Sequence, residues 1–131
     1  MIYLLDVNAL VALGITNHEF HVRVAAWVRS SRSLNLASCS ITELGFVRIA
    51  SHAPAYGFTV TQARTALERL KDAVASRFTF IADTHGVSDL PGWVRAPKQI
   101  TDGHLCQLAS ANGAILATLD EKIPNSYLIP R

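Results

Sequence analysis

Residues 1–13, MIYLLDVNALVAL, decide how this chain is read. Ile2–Leu5 is an apolar run of strand length, Asp6 interrupts it, and Val7, Ala9, Leu10 and Val11 resume it. A carboxylate set against buried strand residues is costly unless something pairs with it. Helix capping is one structural account, because Asp is a favoured N-cap. The other is that Asp6 has company from distant parts of the chain.

Three further apolar runs read as strands, Leu34–Ala37, Phe78–Ala82 and Ala114–Leu119, with a weaker fifth at Tyr127–Ile129. Helical patterns lie between them. Phe20, Val24, Trp27 and Val28 recur at helical spacing, as do Val60, Ala63, Leu67, Leu70 and Val74, with Arg64, Glu68, Arg69, Lys71 and Asp72 on the opposite face. Thr59 and Gln62 form a capping box ahead of the second of these. Asn112-Gly113 closes another helix, and Pro91, Gly92 and Pro97 mark a loop. Alternating strands and helices predict an α/β fold with a mainly parallel sheet. Such sheets bind ligands at the carboxyl ends of their strands, near the point where strand order reverses.

The 131 residues are expected to form one domain, 1–131, and half of them are hydrophobic, enough for one core. Linkers, repeats and charge blocks are absent. No apolar run approaches the roughly 18 residues of a membrane span, and the N-terminus lacks the pattern of a signal peptide. A net charge of +2, with nine arginines scattered along the chain, specifies no partner. Cys39 and Cys106 have no paired spacing and are expected to be buried free thiols of a cytoplasmic protein. There is no G-x-x-x-x-G-K-[ST] and no G-x-S-x-G, which removes a P-loop and a hydrolase elbow.

Of ten acidic residues, four fall in unusual places. Asp6 and Asp120 each directly follow an apolar strand, so both are expected at the same edge of the sheet. Glu43, in SITELGFVRIA, points at about 100° per residue along the stripe of Phe46, Val47 and Ala50, although Ser40-x-x-Glu43 also fits a capping box. Asp102, in QITDGHLCQLA, lines up with Leu105, Cys106 and Ala109, with Thr101 as an N-cap ahead of it. Four converging carboxylates repel one another unless a cation joins them. Mg²⁺ or Mn²⁺ suits such oxygen ligands and keeps waters and places for phosphate, whereas no Cys/His pattern suggests zinc. Such ions, one or two of them, support phosphodiester hydrolysis.

LLDVNALVAL, the Glu of ITELGFVRIA, QITDGHLCQLA and LATLDEKI, in this order and spacing, resemble the acidic motifs of PIN-domain ribonucleases, and more narrowly the VapC-type toxins of toxin–antitoxin pairs. The resemblance extends through TNHEFHVRVAAWV and over essentially the whole chain. It implies a five-stranded parallel sheet of order 3-2-1-4-5 with helices on both faces. It implies Mg²⁺- or Mn²⁺-dependent cleavage of RNA by Asp6, Glu43, Asp102 and Asp120, with Asn8 and Thr118 orienting them by hydrogen bonds. It also implies a homodimer, silencing by a cognate antitoxin, and contact with DNA only through that antitoxin. Histidines near the groove mouth in this family make His21 a candidate RNA contact.

Arg48 is a candidate phosphate contact, with a surface salt bridge as the plainer account. Asp83 reads as a turn or cap residue at a sheet edge, His18 and His21 as the exposed start of a helix, and Trp27 as core. Trp93 is either packing or a base-stacking residue. Three other functions compete. A haloacid-dehalogenase-type phosphatase needs Asp-x-Asp after the first strand, where this chain has Asp6-x-Asn8. A phosphoacceptor domain using Asp83 lacks a lysine after the fifth strand and leaves Glu43 and Asp102 unexplained. A non-catalytic partner-binding module leaves all four acids without a task.

Overall fold

The computed structural model describes residues 1–74 and 77–131. A short strand β1 (Ile2–Leu5) leads into helix α1 (Val7–Gly14) and, after a turn, α2 (His21–Arg29). Strand β2 (Asn35–Cys39) is followed by helices α3 (Ser40–His52) and α4 (Val60–Ala73), then strand β3 (Phe78–Ile81). A long connection leads to α5 (Ile100–Ala111), and strands β4 (Ala114–Thr118) and β5 (Tyr127–Leu128) complete the chain. The five strands form one parallel sheet of order β3-β2-β1-β4-β5. Strand order reverses beside β1, which therefore has a neighbour on each side and ends at the switch point where such sheets bind ligands.

Both faces of the sheet are covered, which is why its strands read as nearly unbroken apolar runs. Alternate side chains serve opposite layers. Leu5, Leu36 and Ala117 join one core with Leu10, Val24, Trp27, Phe46 and Leu67, from α1 to α4. Leu4, Ala37 and Leu116 join a second with Leu105, Leu108 and Ala109 of α5. Tyr3, Trp27 and Tyr127 meet edge-to-face or tilted, with centroids 5.0 to 5.6 Å apart. The Arg23 guanidinium donates to the Ile129 carbonyl, tying the final strand to α2.

Local signals explain most boundaries. Thr59 and Gln62 form the expected reciprocal capping box at α4. Gly113, at φ +68°, lets the chain leave α5 and enter β4 at once. Two expected caps are corrected. At α3 the N-cap is Cys39, and the Thr42 hydroxyl accepts from its N–H at 3.0 Å, so Ser40 is already helical and Glu43 has no capping role. At α5 the helix begins at Ile100 behind Gln99, which leaves Thr101 inside the first turn. In both, the neighbouring turn starts the helix one or two residues earlier than the cap signal suggests. Val60, expected on the apolar stripe of α4, is 56% exposed, because only Ala63, Leu67 and the residues after them reach the core. Cys39 is buried, but Cys106 is only partly so, and both are free thiols.

Gly45 lets α3 close on α1. A Cβ there would lie 2.8 and 2.9 Å from the two methyls of Val7. Gly45→Ala is expected to lower stability: overpacking costs roughly 1–3 kcal/mol, more than the roughly 1 kcal/mol that alanine adds to helix propensity. The double variant Gly45→Ala/Val7→Ala should recover part of the loss in thermal melts. A Gly45→Ala protein melting above wild type would refute this contact.

Candidate active site

Asp6 leaves β1 and caps α1. Its backbone N–H continues the β1–β4 pairing by donating to Ala117 O at 3.1 Å. Its Oδ1 accepts from the Ala9 N–H at 2.8 Å, and its Oδ2 accepts from the Thr118 hydroxyl at 2.5 Å. The same hydroxyl accepts the Asp120 N–H at 3.0 Å, so Thr118 links the two acids at the ends of neighbouring strands. Asp120 Oδ1 in turn accepts from Lys122 N–H at 2.9 Å, an Asx turn that holds the carboxylate at the sheet edge. Asp102 arrives from the first turn of α5.

Charge shows that these three belong together. Burial pushes the Asp6 carboxyl up to about 6, against the bonds from Thr118 and Ala9, and the charges of Asp102 and Asp120 push it further the same way. Asp102 is raised by burial and then by Asp120. Even the Cys106 thiol is raised to about 11, by burial and then by Asp102 and Asp6, which keeps it protonated and inert. A negative pocket with no counter-charge is what these shifts describe.

A cleft of about 340 Å³ opens over this edge, lined by Asp6, Asn8, His18, Glu19, Phe20, Thr118, Leu119 and Asp120. Asn8 is exposed on the first turn of α1 at its lip. Glu43 is elsewhere. Its Oε2 accepts from Ser38 Oγ at 2.5 Å and pairs with Lys71 Nζ at 2.7 Å, and it lines a groove between α3 and α4 with Leu44, Val47 and Leu67. Of the four acids expected to gather, Asp6 and Asp120 line the cleft, Asp102 acts on them through its charge, and Glu43 is held by a lysine. Lys71, assigned to a polar helix face, was missed because its partner lies 28 residues away in the sequence.

The remaining candidates divide. The His21 Nδ1 is bonded to Ala12 O at 2.8 Å, and His21 is not among the residues lining the cleft; His18, Glu19 and Phe20 are. Arg48 is exposed on α3 and makes no salt bridge among the described residues. Asp83 makes a turn, accepting from His85 N–H at 3.0 Å, and pairs with His104 at 2.5 Å. Burial alone would raise the Asp83 carboxyl, but the bonds from His104 and His85 outweigh it and hold it low. Trp93 packs against the α5 side of the sheet.

Among the described residues no group of three His, Cys, Asp or Glu side chains is placed to hold a metal ion between them. The donors present nevertheless fit a hydrated hard cation, which takes one or two carboxylates and keeps its waters. Uncompensated repulsion between Asp6, Asp102 and Asp120 is the observation that supports the fit.

A parallel α/β sheet of order 3-2-1-4-5 with aspartates coupled across its carboxyl edge defines a PIN-type domain. No family model matches the chain. It is 36% identical over 119 residues to ribonuclease VapC38 of Mycobacterium tuberculosis, covering 89% of this chain and 84% of that one. It is 36% identical over 125 residues to ribonuclease VapC44 of the same organism (92% and 87%), and 33% identical over 135 residues to ribonuclease VapC39 (96% and 94%). The chain belongs to the VapC ribonuclease family. The crystal structure of VapBC2 from Rickettsia felis bound to a DNA fragment from their promoter contains a chain of the same fold, with a TM-score of 0.54 at 18% identity, covering 98% of this chain and 97% of that one. The family implies a divalent cation in general.

The raised Asp6 carboxyl has a consequence for the metal-free protein. Its contribution to stability is fully present below the unfolded value of 3.8 and is lost as pH rises through about 6. Asp6→Asn, which resembles the protonated acid, should match wild type in thermal melts with chelator at pH 4. It should exceed it at pH 7, by up to about 3 kcal/mol. A wild type that gains on the variant between pH 4 and pH 6 would reverse the sign and refute the burial argument.

Proposed function

We infer that this chain is the toxin ribonuclease of a toxin–antitoxin pair, an endoribonuclease hydrolysing RNA phosphodiester bonds with the help of Mg²⁺ or Mn²⁺. Membership of the VapC family supports the ribonuclease reading. The observation that carries it is the placing of Asp6 and Asp120, joined through the Thr118 hydroxyl, in one open cleft at the carboxyl edge of the sheet, with the charge of Asp102 acting on both.

In this reading Asp6, Asp102, Asp120 and Glu43 would hold the cation. When bound, it supplies charge neutralisation at the phosphate and a water acidic enough to attack it. The chain's own groups do the rest. Thr118 orients Asp6 Oδ2 and, through the Asp120 N–H, sets the spacing of the two carboxylates. Asn8 offers an amide at the lip, to water or to phosphate. Arg48 contacts phosphate on the α3 side, and His21 contacts RNA at the groove mouth. Glu43 joins only by leaving Lys71. Both partners of that pair are about a quarter exposed, so it is worth roughly 0–1 kcal/mol and yields to a cation.

The proposal extends to partners. A cognate antitoxin silences the enzyme, the toxin forms a homodimer, and DNA is met only through the antitoxin. VapBC2 of Rickettsia felis, bound to promoter DNA, is the assembly that suggests this arrangement. Among the described residues no helix is long and apolar enough to cross a membrane; the free thiols suit a reducing cytoplasm.

Purified protein incubated with RNA and Mn²⁺ or Mg²⁺ should cut it, leaving 5′-phosphate and 3′-hydroxyl ends. Chelator, Asp6→Asn and Asp102→Asn should each reduce the rate at least about a hundredfold. Equal cleavage by wild type and both variants would assign the activity to a contaminant. Mn²⁺ should also raise the wild-type melting temperature, because it binds the folded state alone, and should raise that of either variant less. Identical Mn²⁺ responses in all three proteins would remove the proposed site.

A further inference from the structure

Phe20 breaks the pattern that its own sequence sets. It shares the helical spacing of Val24, Trp27 and Val28, and those three are buried, yet Phe20 stands just before α2 and is 39% exposed. Its ring does not simply face solvent; it lines the cleft with Asp6, Asn8 and Asp120. A single exposed apolar residue is ordinary; what sets Phe20 apart is its place in the cleft beside Asp6 and Asp120.

The ring is also braced. The Phe20 N–H donates to His18 Nδ1 at 3.0 Å, and the two rings are 5.9 Å apart. His18 in turn lies nearly parallel to Tyr56, at 20° and 6.4 Å. Asn17 donates to Ala55 O at 3.3 Å, joining the turn before α2 to the segment that carries Tyr56. Three aromatic rings thus run outward from the cleft, and the innermost two line it. An unpaired base is a flat apolar partner that brings its own phosphate, and stacking on aromatic side chains is how single-stranded RNA is held. In a duplex those base faces are covered by their neighbours.

Resting on the ribonuclease reading above, we propose that Phe20, braced by His18 and Tyr56, is the seat on which one base of the bound RNA stacks at the cleft. Glu19 and the aspartates carry no such face, and Leu119 offers apolar surface without a π system. Of the two aromatic rings that line the cleft, His18 is already stacked on Tyr56 and accepts the Phe20 N–H, so Phe20 is the ring left to receive a base.

Steady-state cleavage of an oligoribonucleotide that wild type cuts tests this. Phe20→Ala and Phe20→Leu should each raise KM about tenfold with kcat within about twofold, the signature of lost ground-state binding. Phe20→Trp should stay within about twofold of wild type in both. A 2-aminopurine base beside the scissile position should be quenched by wild type and by Phe20→Trp, and not by Phe20→Leu. Thermal melts of all variants check that the fold is kept. Phe20→Leu kinetics equal to wild type, or equal 2-aminopurine quenching by Phe20→Leu and wild type, would make the ring ordinary apolar surface and overturn the proposal. A wild type that cuts no RNA with either cation would remove the ribonuclease reading, and the seat with it.

Discussion

The Asp6 carboxylate is the constraint on which the rest of this structure turns. Its backbone is bound into the sheet through Ala117 while its side chain caps α1 through Ala9 and receives the Thr118 hydroxyl. Two hydrogen bonds favour the ion, and the positive end of α1 does the same. Burial opposes them and prevails, so the carboxyl titrates near 6 instead of near 4. The fold therefore holds an acid poised between its two states, and neighbouring negative charges add to the imbalance. That is a cost in stability kept at a place where a cation has something to gain.

The parallel sheet is what makes the imbalance possible. Successive residues of β1, β2 and β4 face opposite layers, so both sides of the sheet are occupied by helices, and the acids after β1 and β4 come out at its carboxyl edge. Asp6 and Asp120 emerge there because their strands are neighbours in register. Asp102 reaches the same place by another route, since α5 crosses behind the sheet and begins at that edge. Glu43 lies in the first turn of α3, which follows β2, and its carboxylate is paired with Lys71.

The cleft over this edge has two kinds of wall. Asp6, Asn8, Thr118 and Asp120 supply oxygen ligands and hydrogen bonds, while His18, Phe20 and Leu119 supply surface that water hydrates poorly. A phosphodiester with its base has the same two characters. Charge at the acids is suited to the reacting phosphate, and the aromatic turn before α2 is suited to what hangs from it. Short-range bonds hold Asp6 and Asp120, through the Ala9 and Lys122 N–H groups, and ring contacts hold the turn before α2.

Much of this was legible in the chain itself. The apolar runs placed all five strands to within two residues, because a parallel strand buried on both faces needs an uninterrupted stretch of large side chains. The order of the acidic motifs carried the family and, through it, the strand order. The acids after β1 and β4 were read from position alone, since a residue that follows a strand has nowhere to go but its edge. Periodicity failed wherever a helix began or a long side chain found a distant partner. Phe20 fits the stripe of α2 in sequence and escapes it in space, because the helix starts one residue later. Glu43 points along its own stripe, but Ser38 and Lys71 decide where its carboxylate rests. Local sequence determined which segments were helix and strand and which acids stood at their ends; only the packed structure decided which charges met, because that depends on side chains brought together across the fold and not along it.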